Sequence, residues 1–266
     1  MARKPLLIAE GDSWFAIPPF ELVVPRDIVG HLRRLGYQVK SVADPGHTLE
    51  QMVNDTDGLK KKIEENEKPK AILLSGGGDD VFAYLPKILN HARYAKPIID
   101  KNEAEKFVGC LEQDYVQWLR FITATCKSRH EAEVPILIHG YGYAVPANRP
   151  MWGVWRGTWL YPRFREKGHM DLQKNTDAIA SLVNWFNEML HNLPKKHGLN
   201  HVKYVDLRQC LSRDIQCTYH RDHHNYGDDE GCSAKFELDW NDEIHPTSEG
   251  FGKIAEEFRD EIQNLP

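Results

Sequence analysis

The sequence predicts an α/β protein, a parallel sheet of five strands covered on both faces by helices. Three observations carry that expectation. Short apolar runs at residues 6–9, 71–74 and 134–139 have the length and composition of buried strands, and each runs into glycine or polar turn residues. The stretches between them place apolar residues at helical spacing. A chain of 266 residues can bury a large core as one domain. No internal repeat, low-complexity tract or linker divides it, so residues 1–266 read as one domain.

Each element has its own signal. Residues 6–9 (Leu-Leu-Ile-Ala) form the first strand, which stops at Gly11. After Pro18, Pro19 and Pro25, residues 26–35 set Ile28, Leu32 and Leu35 on one helical face, and Gly36 ends the helix. Residues 37–43 make a second strand that closes in Asp44-Pro45-Gly46-His47. Thr48 then has the character of an N-cap for a helix through Val53. Residues 60–67 are a charged, solvated helix. The third strand, 71–74, runs into Ser75-Gly76-Gly77-Gly78-Asp79-Asp80, where glycines let backbone approach closely or take positive φ. No Gly-Lys-Ser/Thr follows, so this is not a phosphate loop. From 80 to 133 the pattern is helical, with Phe107, Leu111, Tyr115, Trp118, Ile122 and Cys126 as a core-facing stripe. The fourth strand is 134–139 and the fifth 201–207. Between them lie an aromatic loop at 141–164 and an amphipathic helix at 171–193. The last helix carries Phe251, Ile254, Ala255, Phe258 and Ile262, with Thr247 or Ser248 as its cap.

Composition narrows the function classes. The charge is −5 with 27% charged residues, which gives no electrostatic case for nucleic acid. No apolar run approaches a membrane span, and residues 6–9 are too short for a signal-peptide core. Five cysteines without a Cys-x-x-Cys pair read as a reduced, cytoplasmic protein. Composition says nothing of oligomeric state.

Two short stretches carry chemistry. Gly11-Asp12-Ser13 delivers a hydroxyl at the carboxyl end of a strand, where open α/β sheets place their ligands. Alone, such a tripeptide is an ordinary turn. Asp242 and His245 stand three apart just before the last helix. In a turn, that spacing lets the carboxylate reach the imidazole Nδ1 hydrogen and leaves Nε2 to take a proton from a serine. The alternative is a pre-helical loop whose histidine packs. Taken jointly, Ser13, Gly46, the glycine–aspartate run and Asp242-x-x-His245 all fall at one edge of the sheet.

At these residues the sequence resembles the SGNH (GDSL-type) hydrolase family over nearly its whole length. Gly11-Asp12-Ser13 looks like the nucleophile block, Gly46 the second-block glycine, Gly77-Gly78-Asp79-Asp80 the Gly-x-Asn-Asp block, and Asp242-x-x-His245 the closing block. The resemblance implies a flavodoxin-like three-layer α/β/α sandwich and hydrolysis of a small ester or acyl group, with no metal and no cofactor. It also implies Ser13 as nucleophile, His245 as general base and Asp242 as its orienting partner. The oxyanion hole would use the backbone amides of Ser13 and Gly46 and the side chain at 79. Trp14, Tyr141, Tyr143, Trp155 and Trp159 are the candidates for lining the substrate pocket.

Position 79 departs from the family pattern. The family has asparagine there, which donates to the developing oxyanion; an ionised aspartate repels it. Three arrangements fit: a protonated Asp79 in a dry pocket, an impaired site on a binding or regulatory domain, or a register that brings another donor. A rival constellation, Cys217, His220, Asp222, His223 and His224 with Asp206, Asp228, Asp229 and Cys232, has competent zinc ligands at no recognised metal spacing. It would support metal-assisted hydrolysis; otherwise 208–238 is a solvated polar insertion. The expected partner is a small ester or acylated molecule.

Overall fold

The computed structural model describes residues 3–17, 26–150, 157–216 and 234–266. Its sheet consists of β1 (Leu6–Gly11), β2 (Gln38–Ser41), β3 (Ala71–Ser75), β4 (Ile136–His139) and β5 (Val202–Val205), in the order β2-β1-β3-β4-β5. Every neighbouring pair is parallel. That order is the flavodoxin-like arrangement, and it sends all five carboxyl ends to one edge.

Side-chain alternation along the strands sorts the core into two halves. Leu7 and Ala9 of β1, with Ala71 and Leu73 of β3, pack toward α1 (Ile28–Arg34) and α9 (Ser248–Gln263). Ile8, Ile72 and Leu74 pack the other way, against α2 (Leu49–Asn54), α3 (Asp57–Glu65), α4 (Gly78–Ile88), α5 (Lys101–His130) and α7 (Leu172–His197). Because both faces are covered, the central strands β1, β3 and β4 are buried along their whole length, while the edge strands β2 and β5 keep partly exposed residues such as Lys40 and Lys203. Trp118, fully buried, belongs to this second half of the core, as the stripe on α5 predicts.

Caps fix where the helices begin. Thr48 and Gln51 form a reciprocal capping box at α2. Asp171 caps α7, which ends on Gly198 at positive φ. Thr247, rather than Ser248, caps α9 through its bond from the Gly250 amide.

The structure corrects the sequence reading in three places. The helical pattern of 80–133 is two helices, α4 and α5. Leu89 and Ile99 form an antiparallel bridge between them, and Asp100 starts α5 by accepting from the amides of Asn102 and Glu103. Leu85, Ile88 and Leu89 are buried before the break and Ile99 and Ala104 after it, while residues 92–97 between them are exposed. The aromatic stretch 141–164 ends in a short helix, α6 (Tyr161–Glu166), with proline in its first turn. Within 208–238, residues 217–233 lie outside the described residues, and the flanks are only partly solvated, with Gln209, Arg213, Gln216 and Lys235 exposed. Leu211, Ala234 and Phe236 are buried, and Asp239, at the end of α8 (Phe236–Asp239), accepts from the Ser212 amide.

Candidate active site

The turn after β1 is held from three directions. Asp12 Oδ1 accepts from the Trp14 amide and from the Ser75 hydroxyl at the end of β3. The Phe15 and Ala16 amides return to the Asp12 carbonyl, and the Asp12 amide donates to the Ser75 carbonyl. Position 11 has to be glycine, because a Cβ there would sit 2.5 Å from Ser75 Cβ and from its carbonyl oxygen. Asp12 Oδ2 accepts from the Tyr141 hydroxyl, which itself accepts from the Gly78 amide. Burial and the Asp12 charge hold the Tyr141 phenol well above its ordinary pKa, so it remains a donor. Ser13 therefore projects from a turn tied to β3, β4 and α4.

The closing turn is equally constrained. Trp240 and Pro246 form an antiparallel bridge, and the Asn241 amide donates to the His245 carbonyl. Within that loop Asp242 Oδ1 accepts from the Ile244 and His245 amides, each at 2.8 Å. Its Oδ2 lies 2.8 Å from His245 Nδ1. The backbone bonds fix the carboxylate, and the carboxylate fixes the ring. His245 Nε2 then lies 3.0 Å from Ser13 Oγ. Ser13, Asp242 and His245 are all buried, so this chain of bonds is shielded from water.

The remaining sequence candidates fall into two groups. Gly46 is on the turn after β2 at φ 82, and that loop is anchored beside the Ser13 turn by the Asp44 amide, which donates to the Gly11 carbonyl. Asp79 stands in the first turn of α4, with Oδ2 lacking a hydrogen-bond partner among the described residues. Desolvation, then the Asp12 charge, push its carboxyl up to about 7, against the pull of His245. Its neighbour Asp80, raised to about 6 mainly by desolvation, accepts from the Leu49 amide and ties α4 to α2.

A cavity of about 70 Å³ opens beside Ser13 and Asp79. Its far wall is the face of α7 carrying Ile179, Leu182, Val183 and Phe186, and its lining is overwhelmingly apolar. Gly77, at φ 92, lets α4 begin against the Phe186 ring, where a Cβ would meet the ring at 2.8 Å. Trp14 and Tyr141 border this cavity. Tyr143 does not. It donates to Asn184 and lies beneath Arg213, at the edge of a separate polar depression. Trp159 packs on Phe82, 6.1 Å between ring centres, and 6.4 Å from the His245 ring, behind the lining rather than in it. Trp155 lies outside the described residues.

The GDSL-like Lipase/Acylhydrolase family matches residues 26–258, most of the chain. The protein belongs to this family. Among solved structures it is similar to TesA, with 13% identity, a TM-score of 0.52 and coverage of 98% of this chain and 99% of that one. It is also similar to the esterase EstA from Pseudoalteromonas sp., in a structure inhibited by monoethylphosphonate (11% identity, TM-score 0.52, 98% and 97% covered). An extracellular lipase from Streptomyces rimosus aligns with 13% identity and a TM-score of 0.51 over 96% and 99%. At these identities the likeness is one of fold. No curated protein sequence matches significantly.

The part that matches the GDSL-like family contains Gly46, Asp79, Asp242 and His245, while Ser13 precedes it. Proximity in space, not the family match, joins Ser13 to His245. Among the described residues, no group of three or more His, Cys, Asp or Glu side chains is placed to hold a metal ion. The constellation at 217–232 lies outside the described residues, and Asp206, assigned to its surroundings, pairs with Arg208.

Two residues of this GDSL-like site are absent from the motifs. Ser75 reads as the first residue of a glycine-rich turn, yet it holds Asp12. Glu243 lies inside Asp242-x-x-His245 and is 1% exposed. Its carboxylate accepts from the amides of Asn148, Trp159, Leu160 and Tyr161. Desolvation raises it to about 7 against those bonds. A glutamate in a polar stretch gives no sequence signal when its partners are backbone groups more than 80 residues away.

Proposed function

We propose that the protein is a serine esterase or deacylase that cleaves esters of apolar acyl groups through Ser13, His245 and Asp242. The observation that carries this reading is the unbroken line Ser13 Oγ–His245 Nε2–His245 Nδ1–Asp242 Oδ2, at 3.0 and 2.8 Å. His245 Nε2 takes the hydroxyl proton as Oγ bonds to the carbonyl carbon, and Asp242 stabilises the imidazolium. The tetrahedral intermediate collapses when His245 returns the proton to the leaving alkoxide. A water molecule, deprotonated by the same ring, then releases the acid and restores Ser13. The Ser13 and Gly46 amides, which donate to no acceptor among the described residues, are the backbone donors assigned to the developing oxyanion. A protonated Asp79 is the third. The cavity lined by α7 receives the acyl chain.

Hydrolysis of p-nitrophenyl esters of increasing chain length tests the reading. Ser13→Ala and His245→Ala should each remove about 10⁴-fold or more of kcat. Asp242→Asn keeps the two backbone bonds but turns an amide donor toward Nδ1, which selects the wrong tautomer, so a small residue of activity should survive. Full activity in Ser13→Ala would end the serine-nucleophile reading. A second reading, a binding or regulatory domain, is favoured by one observation: Asp79 when ionised would oppose an oxyanion. Acyl-ligand binding without hydrolysis by the wild type would support it.

A further inference from the structure

We propose that Glu243 is a positioning residue that clasps Asn148 and residues 159–161 onto the turn bearing His245, and so sets the wall of the acyl cavity. Its carboxylate holds Asn148 at 2.9 Å, and Trp159 and Leu160 each at 2.7 Å. The two stretches also meet directly, where the Thr158 hydroxyl donates to Asn148 Oδ1. Leu160, the N-cap of α6, makes no side-chain capping bond of its own. Glu243 supplies the acceptor that this helix start lacks.

The clasp is continuous with the proposed chemistry. Glu243 is flanked by Asp242, which orients the ring, and by Ile244, whose amide bonds to Asp242 and whose side chain lines the cavity. On the other side of the carboxylate, Leu160 lines the same cavity, and Trp159 packs on Phe82, another lining residue. One buried carboxylate therefore joins the base-bearing turn to the cavity wall. Without it, four amides lose their acceptor, that of Leu160 in a buried position, and residues 159–161 must move to find water. Leu160 and Trp159 would be displaced first, so longer acyl chains should suffer more than acetyl.

This inference rests on the esterase reading for its kinetic arm only. The measurements are hydrogen exchange at the amides of 159–161, and kcat and KM for acetyl and hexanoyl p-nitrophenyl esters. In Glu243→Ala, exchange at those amides should accelerate while β1 and β3 stay protected, and KM for the hexanoyl ester should rise about tenfold with a smaller change in kcat. Glu243→Gln retains one oxygen that can accept, so it should recover part of both effects. Unchanged exchange at 159–161 overturns the clasp, as does faster exchange across the whole sheet with equal losses on both esters. Should the alanine variant fail to fold, Glu243→Gln decides by the same two measurements. If the wild type hydrolyses neither ester, the esterase reading fails, and the exchange arm still decides the clasp.

Discussion

The indole Nε1 of Trp14 donates to the main-chain carbonyl of Ile244 at 3.1 Å. The residue after Ser13 thus holds the residue before His245, across 230 positions of sequence. The indole is wedged in place by the rings of His139, Tyr141 and Phe251. On the proposed mechanism, a bond of this kind would hold the Ser13–His245 distance from outside those two side chains.

Trp14→Phe should separate that role from packing. It keeps an aromatic ring and deletes the donor, leaving the Ile244 carbonyl unpaired. The cost to folding should be about 1–3 kcal/mol, or several degrees in Tm for a chain of this size. Esterase kcat should fall further than stability accounts for, by about 10–100-fold, because the reacting pair loses its spacing. Unaltered kcat alongside a lowered Tm would make Trp14 a packing residue only.

That bond also shows how far the sequence could be read. The strands, their parallel sense and the Asp242–His245 turn follow from local pattern, because apolar runs and an Asx-type loop leave marks within a few residues. Ser13 and His245 are recognisable because both stand at element termini. Trp14 reads only as a neighbour of Ser13, since its partner is a carbonyl, and carbonyls occur at every position. Glu243 and Ser75 escape notice for the same reason. Tyr143 was legible as an aromatic next to the site but not as one directed toward Asn184. The break at residues 89–100 does leave marks, an exposed polar stretch ending in Pro97 and a capping aspartate at 100, which a reading by apolar spacing alone passes over.

Glu10 gives a stability prediction with a defined sign. It is buried in β1, and desolvation, with a smaller contribution from the Asp55 charge, raises its carboxyl from 4.5 to about 8. One oxygen has no hydrogen-bond partner among the described residues. A carboxyl raised on folding keeps a proton that the unfolded chain releases. Stability is therefore unaffected below about pH 4.5 and declines as pH rises toward 8. Glu10→Gln removes that dependence. Denaturant titrations should show the variant within error of the wild type near pH 4.5, and more stable by on the order of a few kcal/mol above pH 8. Equal stability of the two at high pH would mean that the carboxylate finds water or a cation when it ionises.

On the proposed mechanism Asp79 would decide how the site handles negative charge, and pH is the means of testing it. Its carboxyl is raised to about 7, chiefly by burial and then by the Asp12 charge, and one oxygen lacks a partner beside the Ser13 cavity. Below that value it carries a hydrogen that can be donated to an oxyanion. Above it, the carboxylate repels the charge formed when Ser13 attacks. Wild-type activity should accordingly increase as pH falls toward 7. Asp79→Asn supplies a donor at every pH. Its advantage over the wild type should be small near pH 6 and grow with pH, reaching about 10- to 1,000-fold in kcat by pH 9. The alkaline limb of the profile should flatten in the same variant. If Asp79→Asn proves no faster at any pH, the side chain does not face the oxyanion. If it is slower throughout, the carboxylate itself is needed, and the third donor at this site is something other than residue 79.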